Sequence, residues 1–218
     1  MRHTMNQDIL GKIQNFFEGE TKILTKGDML MLPGQQPPGV SFLIEGVVEQ
    51  YDITPEGNKI IVNIFRPPAF FPMSWAINDT PNDYFFAALS EVKLKRASAE
   101  AAVAFLQQNP DVAFDLLSRV YRGTDALLKR LLLAARGVAS TRLTFELLIE
   151  AYRFGENFED NKKLIRVKHG HLAERTGLAR ETVSRELHKL ASDGFVTLTK
   201  KGIVVDLDRL QQRLDLTV

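Results

Sequence analysis

Cysteine is absent from this 218-residue chain, which excludes disulfides, cysteine nucleophiles and thiolate-held iron–sulfur clusters together. No run of 18 uncharged apolar residues occurs, so no membrane-spanning helix is expected. The start of the chain lacks the apolar core of a secretion signal, because Arg2, His3, Asn6, Gln7, Asp8 and Lys12 interrupt it. A cytoplasmic protein is the expectation. Net charge is nearly absent as well, at +1. What is present is an ordinary globular composition, 44% hydrophobic and 25% charged, which argues against disorder. The length suits one large domain or two small ones.

The balanced charge is unevenly spread. Residues 1–138 hold 14 Lys/Arg against 15 Asp/Glu, whereas Lys162–Lys201 holds 10 against 4. A local excess of six positive charges attracts a polyanion, or else forms a solvated basic face. Charge alone does not decide between the two.

Periodicity divides the chain into three parts, 1–108, 109–137 and 138–218. Asn6–Phe17 reads as a short amphipathic helix with Ile9, Ile13 and Phe16 or Phe17 on one side. From Thr21 to Ser98 short strands alternate with turn signals at Gly27-Asp28, Pro33-Gly34, Glu45-Gly46 and Thr54–Asn58. Lys59–Phe65 is expected to alternate, with Ile61, Asn63 and Phe65 on one face. Strands so spaced, with no helix between them, predict an antiparallel sandwich or jelly roll.

Ser98–Gln108 reads as a helix. Asn109-Pro110-Asp111 then opens a long one, with Asn109 as the expected N-cap. It runs to Arg136, roughly 40 Å at 1.5 Å per residue. Ala113, Leu117, Val120, Thr124, Leu127, Leu131 and Ala134 recur at steps of four and three, the spacing of a two-helix seam. Leu116, Leu128, Leu132 and Leu133 widen that face, and Leu128 joins the seam candidates. A single domain could bury the face itself, but the helix is too long for one side of a small barrel, so a homodimer is expected. Gly137 breaks the helix and reads as a hinge. Ser140 begins another helix through Tyr152, Phe154–Asn161 is a polar loop, and Leu164–Val167 a short strand.

His171–Thr176, Gly177 and Arg180–Leu190 form a helix, a left-handed turn and a second helix. On a helical wheel Val183, Leu187 and Leu190 cluster within about 60°, while Arg180, Glu181, Ser184, Arg185 and His188 occupy the other side. Arginine can hold guanine bidentately, glutamate can accept from cytosine, and serine can do either. The start of a recognition helix is the part that reaches base edges. Arg180, Glu181, Ser184 and Arg185 are therefore the candidate base readers. Phe195–Leu198 and Ile203–Val205 follow as strands, joined by the basic hairpin Thr199–Gly202. Basic tips suit phosphates, which give position but no sequence reading. Lys168, His169, Thr182, His188, Lys200 and Lys201 are the candidate phosphate contacts. Double-stranded DNA is the expected partner.

These residues carry a resemblance to the Crp/Fnr family of bacterial transcription regulators over nearly the whole chain. The matching pieces are Gly39–Val48, the hairpin Thr54–Asn58, Asn109-Pro110-Asp111 and, most specifically, Arg180–Arg185. The resemblance implies an α+β protein with an N-terminal cupin-like antiparallel β jelly roll, a long central dimerisation helix and a C-terminal winged helix-turn-helix. It also implies a two-fold operator and contact with RNA polymerase. Carried over, Arg180, Glu181 and Arg185 are the base-reading trio, and Ser184 fits a Glu-x-x-Ser-Arg variant of other branches. The half-site then lies between TGTGA-like and TTGAT-like, with a shared TGA core. Ala179 stands where the family usually has a Ser or Thr N-cap.

The family's cyclic-nucleotide pocket needs a Gly-Glu pair and an Arg-Ser/Thr pair. Here Pro67–Trp75 and Asn82–Phe86 stand in that stretch, and no arginine lies between Arg66 and Arg96. A buried phosphate without a cation is strongly unfavourable, and Asp83 adds repulsion. Leu127 and Leu128 replace the small polar residues that would meet a purine. Cyclic AMP is therefore not expected to bind in the usual way. No histidine stands in the barrel stretch to ligate haem or a cupin metal, since His3 precedes it and His169, His171 and His188 follow it. His169-x-His171 lacks further zinc ligands nearby. No cofactor, metal or catalytic activity is expected. Phe70, Phe71, Trp75, Phe85 and Phe86 remain as an aromatic patch, either an apolar effector pocket or a self-filled core. A self-filled core, and with it DNA binding without an effector, is the favoured expectation.

Overall fold

The computed structural model describes residues 6–217, so the tail with His3 lies outside the described residues. The Asn6 side chain accepts from the Asp8 amide at 3.0 Å and caps α1 (Gln7–Phe16). Ile13 is wholly buried. The alternative left open between two phenylalanines resolves to both, since Phe16 stacks on Phe105 and Phe17 on Phe42.

There follow β1 (Lys22–Leu24), β2 (Met29–Met31), β3 (Val40–Glu45), β4 (Val48–Ile53), β5 (Lys59–Phe65) and β6 (Ala69–Phe71). Next come α2 (Met73–Asn78), β7 (Phe85–Ala88), β8 (Val92–Ala97) and α3 (Ala99–Gln108). The strands form two four-stranded antiparallel sheets, ordered β1-β8-β3-β6 and β2-β7-β4-β5. This is the expected jelly roll. The β3–β4 turn requires glycine, because Gly46 has φ of +90° and a Cβ there would sit 2.1 Å from the Glu91 carbonyl oxygen.

Three expectations need correction here. The strand region contains a helix after all, α2, which ends where Asp79 adopts a left-handed φ of 52°. The strict alternation of Lys59–Phe65 fails, because the pairing shifts register between Gln50↔Asn63 and Tyr51↔Ile61. The extra residue reverses parity, so Ile61 and Ile64 are the two buried side chains. Asn109 holds the expected N-cap position, its carbonyl accepting from Ala113 at 3.1 Å, but its side-chain amide turns back to the Phe105 carbonyl at 2.9 Å and closes α3 instead of capping the helix that follows.

Helix α4 spans Pro110–Ala135 without a break. The described residues divide inside it into two compact units, one reaching to Arg122 and the other starting at Gly123. The helix stops before Gly137, whose φ is +74° and whose amide bonds Ala134. Helix α5 (Ala139–Phe154) begins one residue before the expected Ser140, with no side-chain cap. The expected polar loop is in part a hairpin: β9 (Glu156–Asn157) pairs with β10 (Lys162–Ile165). Then come α6 (His169–Thr176), α7 (Arg180–Ser192), β11 (Val196–Thr199), β12 (Gly202–Asp206) and α8 (Leu207–Thr217). Leu143, Leu147, Leu172, Val183, Leu187, Leu190 and Leu210 form the core of this unit, each 0% exposed. No helix of the described residues is long and apolar enough to cross a membrane.

Candidate nucleic-acid interface

Leu172 anchors α6 in the core, and Gly177 ends it with φ of 65° and an amide bond to the Ala173 carbonyl. That left-handed residue turns the chain into α7 without a steric penalty. Val183, Leu187 and Leu190 then bury one face of α7, as the wheel predicts. The opposite face presents Arg180, Glu181, Arg185 and His188 exposed and Ser184 half-buried. An open concavity along it is lined by Glu181, Ser184, Arg185, His188, Lys189 and Ser192. Three of the four candidate base readers, Glu181, Ser184 and Arg185, thus line one concavity, and Arg180 is exposed at the start of the same helix. The His188 Nδ1 lies 2.7 Å from the Ser184 carbonyl oxygen, which can only accept, so the ring donates from Nδ1. Ala179 gives α7 no side-chain cap.

The basic excess of this unit sorts itself by pairing. Arg166 meets Glu156 at 2.9 and 3.1 Å; that pairing holds the Glu156 carboxyl below its ordinary range and raises Arg166. Lys162 faces Glu159 at 3.8 Å, and Arg175 is buried in ion pairs. Glu186, buried on α7, draws Lys189 to 3.1 Å and the Arg185 Nε to 3.5 Å. The side chains of Lys168, Arg180, Lys200 and Lys201 are exposed and have no ion pair among the described residues. These four are available to an external anion. Of the other phosphate candidates, His169 and Thr182 are half-buried.

The wing tip is fixed from within. The Thr199 hydroxyl oxygen accepts from the Lys201 and Gly202 amides at 3.2 and 3.1 Å and donates to the Gly202 carbonyl at 2.8 Å. Gly202 has φ of 147°, and a Cβ there would lie 2.3 Å from the Ile165 carbonyl oxygen. Lys200 and Lys201 therefore stand on a rigid turn.

The seam candidates Leu117, Val120, Thr124, Leu127, Leu128, Leu131 and Ala134 are all exposed in the single chain. Leu133 differs from its expected place on that face, being 5% exposed within the core of the C-terminal unit. The aromatic patch does not come together as one cavity. Phe71 and Phe86 sit in the barrel core, 5.5 Å apart, with Phe65 against both. Phe70 and Trp75 join a second cluster around Ile13 and Phe42. Phe85 stacks on Tyr51 instead. Asn82, in the stretch that lacks the phosphate-binding arginine, is 6% exposed and spends its amide on the Leu32 and Tyr84 carbonyls.

Sequence reading missed the charged residues inside the C-terminal unit. Glu146 and Glu150 are buried on α5, and Arg175 on α6. Spacing gave no signal, because Glu146 and Glu150 fall in line with Arg142 and Arg153 on α5 and together resemble a solvated charged stripe.

Comparison with known proteins supports both halves of the chain. Residues 130–213 match the Crp-like helix-turn-helix domain, and residues 21–109 the cyclic nucleotide-binding domain. The chain is 28% identical to the global nitrogen regulator of Synechocystis sp. over 81% of its own length and 80% of that protein. A solved transcriptional regulator of the CRP/FNR family from Thermus thermophilus superposes with a TM-score of 0.71 at 24% identity, covering 90% of this chain and 98% of that one. A mutant of CooA from Carboxydothermus hydrogenoformans gives 0.80 at 16% identity, covering 98% and 97%.

Proposed function

Because the chain belongs to the Crp/Fnr family and is a DNA-binding transcription regulator rather than an enzyme, we propose that it acts as a homodimer on a two-fold operator with TGA-core half-sites. The observation that carries this reading is α7, which buries Val183, Leu187 and Leu190 and turns Arg180, Glu181, Ser184 and Arg185 outward. Arg180 and Arg185 hold guanines, Glu181 accepts from a cytosine and Ser184 adjusts to the remaining base. Lys168, Lys200 and Lys201 bind phosphates and set the register, with His169, Thr182 and His188 beside them. The dimer forms along α4 through Leu117, Val120, Thr124, Leu127, Leu128, Leu131 and Ala134. The protein works in the cytoplasm and, as the family resemblance implies, meets RNA polymerase there.

The barrel needs no effector in this reading. Its interior is occupied by stacked phenylalanines, and Asn82 uses its polar atoms on the backbone. DNA binding is therefore independent of cyclic AMP. Fluorescence anisotropy tests both points, using a probe with two TGA-core half-sites one helical turn apart, with and without cyclic AMP, at two salt concentrations. Tight binding over a scrambled probe, unmoved by cyclic AMP, is expected. Binding that requires cyclic AMP would overturn the effector-free reading, and equal binding to the scrambled probe the operator.

A further inference from the structure

The C-terminal unit buries a group of charges that DNA contact does not call for. Glu146 on α5 has a side chain only 2% exposed, yet two arginines converge on it. Arg130, near the end of α4, grips both carboxylate oxygens, with Nη2 at 3.1 Å from Oε2. Arg175 on α6 reaches the same Oε2 at 2.9 Å and bonds Glu150, one turn further along α5. Three residues beyond Arg130, Leu133 enters the core that holds Leu172 and Val183. The last turns of α4 are thus tied across the Gly137 turn to both α5 and the first helix of the DNA-reading pair.

Desolvation offsets most of what a buried ion pair contributes to net stability. Its use lies in direction, since a bidentate arginine–carboxylate pair permits little rotation. A lone apolar contact such as Leu133 is not directional.

We propose that Arg130 and Glu146 are positioning residues: they fix the angle at which the recognition helix leaves the stretch Thr124–Ala134, and so set the spacing between half-sites that the protein accepts. This rests on the dimeric, two-fold reading above. In B-DNA each added base pair turns a half-site by about 35°, given 10–10.5 base pairs per turn. A reading head held by a two-point pair cannot follow that rotation, whereas one held by leucine alone can.

The test uses the full chain and a set of two-fold probes at the preferred spacing and one base pair longer or shorter, beside a single half-site probe. Arg130→Gln is the main variant, because Arg130 lies at the rim, 22% exposed, and Glu146 keeps Arg175. Arg130→Lys is the conservative control, and thermal melting reports folding. The expected result is that Arg130→Gln reduces the preference for the correct spacing about tenfold, within the range of inter-site coupling. Single half-site affinity should stay unchanged, and Arg130→Lys should recover part of the preference. A spacing preference that survives Arg130→Gln overturns the proposal. So does a parallel loss on every probe, half-site included, with a lowered melting temperature, which is a structural role only. A wild type that shows no spacing preference, or sediments as a monomer, overturns the two-fold reading itself and this proposal with it.

Discussion

Arg185 and Lys201 are both exposed cations, and the proposed function gives them different work. Arg185 sits in the second turn of α7, and its side chain is 61% exposed despite Glu186 at 3.5 Å. At that distance the pair is weak, so the guanidinium remains available to a base edge. Arg185→Ala should cost about 1–3 kcal/mol on the operator and relax the preference at one base position. Titration against a panel of single-base operator variants checks this, and an equal loss on specific and non-specific DNA would refute a reading role. Lys201 stands on the wing turn that Thr199 locks. Lys201→Ala should weaken binding to all sequences alike and reduce the slope of log affinity against log salt by about one. A loss confined to one base position would place Lys201 in a groove instead.

Helix α7 begins at Arg180 without a side-chain cap, because Ala179 has no acceptor for the free amides of the first turn. Ala179→Ser should stabilise the protein by about 1 kcal/mol, or about 2–4 °C in melting temperature for a chain of this size; an unchanged melting temperature would mean the first turn is already satisfied. This segment was legible in the sequence because local rules govern it: a left-handed glycine at Gly177, an apolar face at Val183, Leu187 and Leu190, a basic turn at Lys200–Lys201. Elements whose form depends on tertiary partners were not. The register shift opposite Gln50 reverses the faces of β5, and no local pattern announces it. Leu133 fits the apolar stripe of α4 by spacing, yet the turn at Gly137 folds α5 back so that the core claims it. The aromatic patch read as one feature because its members are near in sequence. The pleat sends neighbours to opposite faces, so Phe86 joins the barrel core while Phe85 meets Tyr51 outside it. Glu146 and Glu150 were silent because a glutamate on a helix is normally solvated, and only the fold brings arginines to them.

At the scale of the whole molecule, the chain alone leaves too much of α4 bare. Leu117, Val120, Leu127, Leu128, Leu131 and Leu132 are 47–66% exposed on one helix. Burying a leucine fully yields about 1.5–3 kcal/mol, so pairing this half-exposed row with its own copy, as proposed, would favour association. The proposed dimer would also change what the DNA face achieves. Once one half-site is held, the second is engaged at the effective concentration set by the linkage, so affinity for the pair far exceeds that for either alone. Leu131→Asp places a carboxylate in the middle of that seam, where it meets its symmetry mate in an apolar setting. Sedimentation should then show a monomer at concentrations where the wild type is a dimer. Two-half-site affinity should fall to that of a single half-site, while single half-site binding persists, because the substitution leaves every DNA-facing side chain of α7 and the wing in place. A dimer that survives the substitution would move the interface off α4. It would also leave the exposed leucines needing another partner, since water is the least favourable neighbour they can have.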